Sequence, residues 1–122
     1  MLVSDLAEKY NQFQHAFGQG KAQNYEILIE TLFSPHFKKI ANRKELVSER
    51  PNLLSQLTGL KDFSGNWVIQ SLDIIPSYDT TKCTIRYFLN SEKAGNFEII
   101  AILSTLYDQI DRIEEVYYQK EN

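Results

Sequence analysis

Glu115 is the leading candidate for proton transfer in this sequence of 122 residues. It lies in the alternating run Asp111, Ile113, Glu115, Tyr117, which puts it on one strand face with two large apolar neighbours. A carboxylate buried there with few partners is pushed up in pKa and can serve as a general acid or base. Two other arrangements fit the same residues. Either the opposite face, with Glu114, turns inward, or Glu115 pairs with an Arg or Lys. Asp73 shares the alternation of Trp67, Ile69 and Ile75, and is a candidate second carboxylate or a polar residue at a curved strand end. Tyr10, Phe13, Phe17, Trp67, Tyr87 and Tyr117 can converge on one cavity, although most aromatics of a small domain are core.

Other chemistries find less support. His15 and His36 are the two histidines, 21 positions apart, and a metal site would need carboxylates from elsewhere; a helix-surface and a loop histidine explain them. Cys83 has no nearby sequence partner to lower its pKa, so packing is its expected role. Gly18 and Gly20 belong to a helix-to-helix link, and no phosphate-binding glycine string is present. No cofactor and no metal is expected.

Composition bounds the class. With 43% apolar and 24% charged residues the chain reads as one globular domain, 1–122. The net charge of −3 argues against a binder that neutralises nucleic-acid phosphates. Residues 36–50 carry Lys38, Lys39, Arg43, Lys44 and Arg50 against Glu45 and Glu49, which reads as a solvated hairpin face. A lone cysteine fits a reducing compartment. Met1, Leu2 and Val3 run into Ser4 and Asp5 without an apolar leader, the end Tyr118 to Asn122 carries no lipidation signal, and the longest apolar run, Ile99 to Leu103, is far shorter than the ~20 residues of a membrane helix. The expectation is a cytoplasmic protein that engages neither membrane nor nucleic acid.

The elements that must position these residues divide the chain. Leu6, Tyr10, Phe13 and Phe17 form a helical stripe, capped by Asp5 with Glu8 and stopped by Gly18 and Gly20. Leu28, Ile29, Leu32 and Phe33 suggest a second helix opening near Asn24 and closing before Pro35. A two-stranded ribbon follows from His36 to Val47, turning near Asn42-Arg43. Ser48 can cap a third helix with Pro51 in its first turn, an apolar face of Leu53, Leu54, Leu57 and Leu60, and Gly59 as its end. From Trp67 the period becomes two. Four strands joined by short links make an antiparallel meander, with one face of the middle strands formed by Cys83, Ile85, Tyr87 and Leu89 and by Phe97, Ile99, Ala101 and Leu103. The fold class is α+β, with the helices covering one face of the sheet.

This order resembles the nuclear transport factor 2-like superfamily, which includes the SnoaL-like polyketide cyclases and ketosteroid isomerase. The resemblance rests on the helical link Ala16-Phe17-Gly18-Gln19-Gly20-Lys21, on Leu32-Phe33-Ser34-Pro35 entering a ribbon, on a third helix at Ser48, and on a final strand from Gln109 to Tyr118. It implies a cone: a strongly curved, mostly antiparallel sheet wraps the first helix, the open end holds a pocket, and the outer sheet face pairs two subunits. It turns Glu115 inward. It also places Phe13 where the isomerase has its Tyr, Ala41 or Asn42 at the base, and Leu103 at the late protonated Asp, so that the family's proton-transfer set is missing.

The expected protein is therefore a homodimer that takes a small apolar or amphipathic ligand in a pocket of Tyr10, Phe13, Phe17, Trp67, Asp73, Tyr87, Leu103, Glu115 and Tyr117. Phe88, Ile100 and Ile102 on the uncovered sheet face supply the dimer contact. The alternative is a cofactor-free isomerase, cyclase or dehydratase, in which Glu115 moves the proton with Tyr87, Tyr117 or Asp73 assisting.

Overall fold

The computed structural model describes residues 2–21 and 24–120; Met1, Glu121 and Asn122, which enter the reading of the two ends, lie outside the described residues. Helix α1, Val3–Gln19, buries Leu6, Ala7, Tyr10, Phe13 and Phe17 along one stripe. Its start differs from expectation. The helix opens at Val3 after an extended Leu2 with no side-chain cap, and Asp5 lies in its first turn, where it favours the positive end of the helix dipole. Gly20 ends the helix as expected, at φ 66°, its N–H donating to the Phe17 carbonyl and that of Lys21 to Ala16, but Gly18 lies buried inside the helix rather than in the link. Lys61 Nζ also donates to the Phe17 and Gly18 carbonyls, placing a cation on the negative end of the helix.

Helix α2, Tyr25–Leu32, passes directly into strand β1, Phe33–Ala41, so His36 stands on a strand rather than in a loop. β1 turns through Asn42 and Arg43, both at positive φ, into β2, Lys44–Ser48. Ser48 ends that strand and does not cap a helix. A short 3₁₀ turn, Arg50–Asn52, holds Pro51, and α3 spans Leu53–Ser64. Gly59 therefore does not stop α3, which runs on to Gly65 at φ 69°. A mid-helix glycine costs only about 1 kcal/mol against alanine, too little to end a helix whose far turn packs.

Strands β3 (Trp67–Pro76), β4 (Lys82–Ser91), β5 (Asn96–Leu106) and β6 (Gln109–Gln119) form the antiparallel meander. The full sheet runs β2-β1-β6-β5-β4-β3, with β1 parallel to β6. The architecture is α+β, three helices against a curved, mixed, six-stranded sheet. Phe33, Phe37, Ile85, Tyr87, Leu103, Ile110 and Ile113 are fully buried between the layers. No helix among the described residues is long and apolar enough to cross a membrane.

β3 corrects the simple alternation. A bulge at Leu72 lets Ser71 pair with Tyr87 while Asp73 pairs with the next residue, Arg86. Trp67 and Ile69 face the helices, but beyond the bulge Ile74 takes the inner side and Asp73 and Ile75 turn out. β3 is also an edge strand, and α1 covers that edge with polar side chains. Gln19 Nε2 donates to the Trp67 carbonyl, the Ile69 N–H donates to His15 Nδ1 at 3.1 Å, and Asn11 Nδ2 reaches Ser71 Oγ at 3.4 Å. Four helical residues rise about 6.0 Å and two strand residues about 6.7 Å, so positions 11, 15 and 19 keep step with 71, 69 and 67. His15 is thus committed to the edge of the sheet.

Candidate ligand-binding site

A cavity of about 190 Å³ lies between α3 and the helix-covered face of the sheet. Leu89, Phe97 and Ile99 reach it because they stand at inward positions of the period-two strands. Leu60 and Phe63 reach it because α3 continues past Gly59. Leu46 of β2, Phe63 and Tyr117 line the cavity while 40%, 73% and 41% exposed, so the opening to solvent has an apolar rim. Phe97 and Tyr117 meet edge to face, with ring centroids 6.0 Å apart.

The inner end is polar. Lys39 Nζ lies 3.6 Å from Glu115 Oε1, with both side chains more than nine-tenths buried. β1 and β6 bring them together: Lys39 stands beside Ile113 and Ala41 beside Glu115 in the parallel ladder. Glu115 Oε1 has no hydrogen-bond partner, and neither has the buried Gln56 Oε1 on α3. Tyr87 and Gln14 are already hydrogen-bonded. Tyr87 Oη donates to Gln14 Oε1 at 3.4 Å, and Gln14 Nε2 donates to Asn11 Oδ1 at 3.3 Å.

Burial governs the ionisation of these groups. Tyr10 and Tyr87 are held well above the ordinary phenol range, first by desolvation and then by the negative charge of Glu115. Burial pushes the Lys39 ammonium down, but the attraction of Glu115 and the electrostatics of Tyr87 act against it and leave its pKa above the usual lysine value. Lys39 is therefore a fixed cation at neutral pH, unsuited to act as a nucleophilic amine.

Of the residues proposed from sequence, Tyr87, Glu115 and Tyr117 line this cavity. Tyr10, Phe13, Phe17, Trp67 and Leu103 are buried in the core beside it: Phe17 stacks on Trp67, and Phe13 and Tyr10 pack edge-on against Phe33. The Tyr10 hydroxyl is buried. Asp73 is on the other side of the sheet, where its carboxylate accepts from Arg86 Nε at 2.7 Å; the bulge at Leu72 is the reason. Phe13, Ala41 and Leu103, aligned with the isomerase groups, are buried and apolar, and Asn42 lies in the β1–β2 turn. Cys83 is buried, and desolvation pushes its thiol up. His36 pairs with Glu49 at 2.8 Å on the surface, and no group of three or more His, Cys, Asp or Glu among the described residues is placed to hold a metal.

Sequence reasoning missed Lys39, Gln14, Gln56 and Phe63. Lys39 had a signal: it alternates with Phe37 and Ala41, both buried, while Lys38 faces solvent.

No protein-family model matches the sequence, and no curated protein matches it. Solved structures do. A nuclear transport factor 2-like protein of unknown function from Exiguobacterium sp. 255-15 superposes with a TM-score of 0.76 at 13% identity, over 94% of this chain and 99% of that one. The chain has the nuclear transport factor 2-like fold. Two further proteins of this cone fold bear names that imply catalysis. A candidate polyketide cyclase from Sinorhizobium meliloti matches with a TM-score of 0.72 at 15% identity, over 91% of this chain and 93% of that one. A candidate ketosteroid isomerase from Kribbella flavida matches with a TM-score of 0.74 at 12% identity, over 98% and 80%. In this chain the cavity lies beneath α3, and its polar end is an ion pair.

Proposed function

We propose that the protein binds a small apolar or amphipathic molecule in this cavity, as a homodimer and without the proton-transfer set of ketosteroid isomerase. The observation that carries the reading is a cavity with hydrocarbon walls and an apolar rim whose inner end holds a buried ion pair, Lys39 with Glu115. Apolar lining supplies affinity by losing contact with water, and a few fixed polar atoms set orientation. The dimer draws support from the outer sheet face, where Val68, Ile102, Val116 and Tyr118 are each between 44% and 49% exposed around Phe88 and Ile100. A cytoplasmic setting suits the unpaired thiol of Cys83.

The test is a fragment screen followed by the backbone amide resonances of Leu89, Phe97 and Tyr117. Saturable shifts at these positions are expected, and a screen without any saturable ligand there overturns the reading. Light scattering at micromolar concentration checks the dimer, and a monomer removes that part.

The acid/base alternative rests on the same buried carboxylate. It asks Glu115 to exchange protons while an ammonium stands 3.6 Å away, with Asp73 engaged on the opposite face and the Tyr87 hydroxyl donating to Gln14. Turnover that disappears in Glu115→Gln and follows pH would favour it over simple binding.

A further inference from the structure

The inner end of the cavity is polar in residue type but has little left to give. Lys39 Nζ faces Glu115 Oε1 at 3.6 Å and also stands 5.9 Å from the centroid of the Tyr10 ring, and that carboxylate oxygen is covered. The pair carries no net charge. The Tyr87 hydroxyl donates to Gln14 Oε1, Gln14 Nε2 donates to Asn11, and the amide oxygen of Gln56 is covered as well. A polar group carried to this end would give up its water without a free partner to replace it, whereas a hydrocarbon group gains by the same move. The paired end thus orients a guest by refusing its head group.

Volume limits what can enter. The cavity measures about 190 Å³, and an apolar protein cavity of about 150 Å³ holds one benzene. One six-membered ring therefore fills it, and a fused polycycle exceeds it. At the mouth Leu46, Phe63 and Tyr117 reach solvent, so a head group held there keeps its water.

We infer that the cavity takes molecules by a single-ring hydrocarbon end, which packs inward against Leu89 and Ile99, while the polar or charged head group stays hydrated at the rim of Phe63 and Tyr117. Such a site discriminates on the size of the buried group and is indifferent to the head. This inference rests on the ligand-binding reading above and adds which end of the molecule is recognised and how large that end is.

The test titrates the labelled protein with 2-phenylethanol, 2-phenylethylammonium and 3-phenylpropanoate, which share a ring and differ in head group, and with 2-(1-naphthyl)ethanol, which enlarges the ring. The amides of Leu89, Phe97 and Tyr117 report binding. The three phenyl compounds are expected to bind within about fivefold of one another, the reach of an exposed charge. The naphthyl compound is expected to bind at least about tenfold more weakly than 2-phenylethanol, because the larger ring overpacks the cavity. Nuclear Overhauser contacts should join the ring protons to the methyls of Leu89 and Ile99, and the methylene beside the head group to Phe63 or Tyr117. A wider spread among the phenyl compounds, a smaller loss with naphthyl, or contacts that set the head-group methylene against Leu89 and Ile99 each overturns the inference. So does an absence of binding by all three phenyl compounds, and the fragment screen, which samples other shapes, then decides separately on the ligand-binding reading.

Discussion

Asn42 grips Tyr117 by both hydrogen-bonding groups of its backbone: Asn42 Nδ2 donates to the Tyr117 carbonyl at 3.2 Å, and Asn42 Oδ1 accepts from the Tyr117 N–H at 3.0 Å. The Asn42 N–H also donates to the Glu115 carbonyl. A side chain thus prolongs the β1–β6 ladder past the point where β1 turns away, and it fixes the strand segment that carries both Glu115 and the rim residue Tyr117. Asn42 sits at φ 49°, a conformation asparagine tolerates better than most residues. Asn42→Ala removes two hydrogen bonds and adds backbone strain, and is expected to lower stability by about 1–3 kcal/mol in urea unfolding, with faster amide exchange at Tyr117. An unchanged Tyr117 exchange rate would show that the grip does not operate in solution.

The Lys39–Glu115 pair predicts strong non-additivity. Removing one partner leaves a buried charge alone, so Lys39→Met and Glu115→Gln are each expected to lose about 3–5 kcal/mol. Replacing both with Met and Leu leaves no charge, and its loss should be well below the sum of the two. A double-mutant cycle by urea denaturation reads this directly, and simple addition of the single effects would contradict the buried pair.

Alkaline pH supplies an independent check. Tyr10 and Tyr87, mainly through burial, and Lys39, where burial pulls down but Glu115 and Tyr87 together outweigh it, all hold their protons above the ordinary values of their types. Each binds its proton more tightly when folded than when unfolded. Their contribution is fully present below the unfolded values, about 10 for tyrosine and about 10.4 for lysine, and is lost as pH rises through that window toward the folded values. Stability should therefore start to fall near pH ~10, and tyrosinate absorbance should show Tyr10 and Tyr87 ionising only as the protein unfolds. Ionisation of every tyrosine in the native state near pH ~10 would count against their burial.

The strands whose inner residues alternate without interruption were legible. Cys83 to Leu89 and Phe97 to Leu103 face inward as their period demands, and Glu115 follows Ile113 to the same side. Asp73 was not legible, because Trp67 to Ile75 has apolar residues on both sides of the strand and nothing marks Leu72 as the extra residue of a bulge. Lys39 was hidden by its type. A lysine among basic neighbours reads as solvated, and the carboxylate that brings it inside sits 76 positions along the chain, on a strand that pairs in parallel. Phe63 and Ser64 were lost with the last turn of α3, since Gly59 resembles a helix stop unless the packing beyond it is known.

Two glycines should respond oppositely to alanine. A Cβ at Gly59 meets no atom within 4 Å, so Gly59→Ala should stabilise α3 by up to about 1 kcal/mol. A Cβ at Gly18 would collide with the indole of Trp67, whose Nε1 donates to the Gln14 carbonyl at 2.9 Å. Gly18→Ala is expected to lose about 1–3 kcal/mol and to shift the fluorescence of the single tryptophan. Thermal unfolding with fluorescence detection measures both, and an unperturbed Trp67 signal in Gly18→Ala would contradict this packing.

The file of Asn11, His15 and Gln19 along β3 has a bearing on how the molecule behaves at high concentration. An uncovered outer strand is a template on which further chains can be laid down, one after another, into aggregates. Here the groups such a template would offer at Trp67 and Ile69 are already taken by the molecule's own first helix. Fibre growth from that rim would first have to peel α1 away from the core it anchors, leaving the short β2 margin as the easier point of attack.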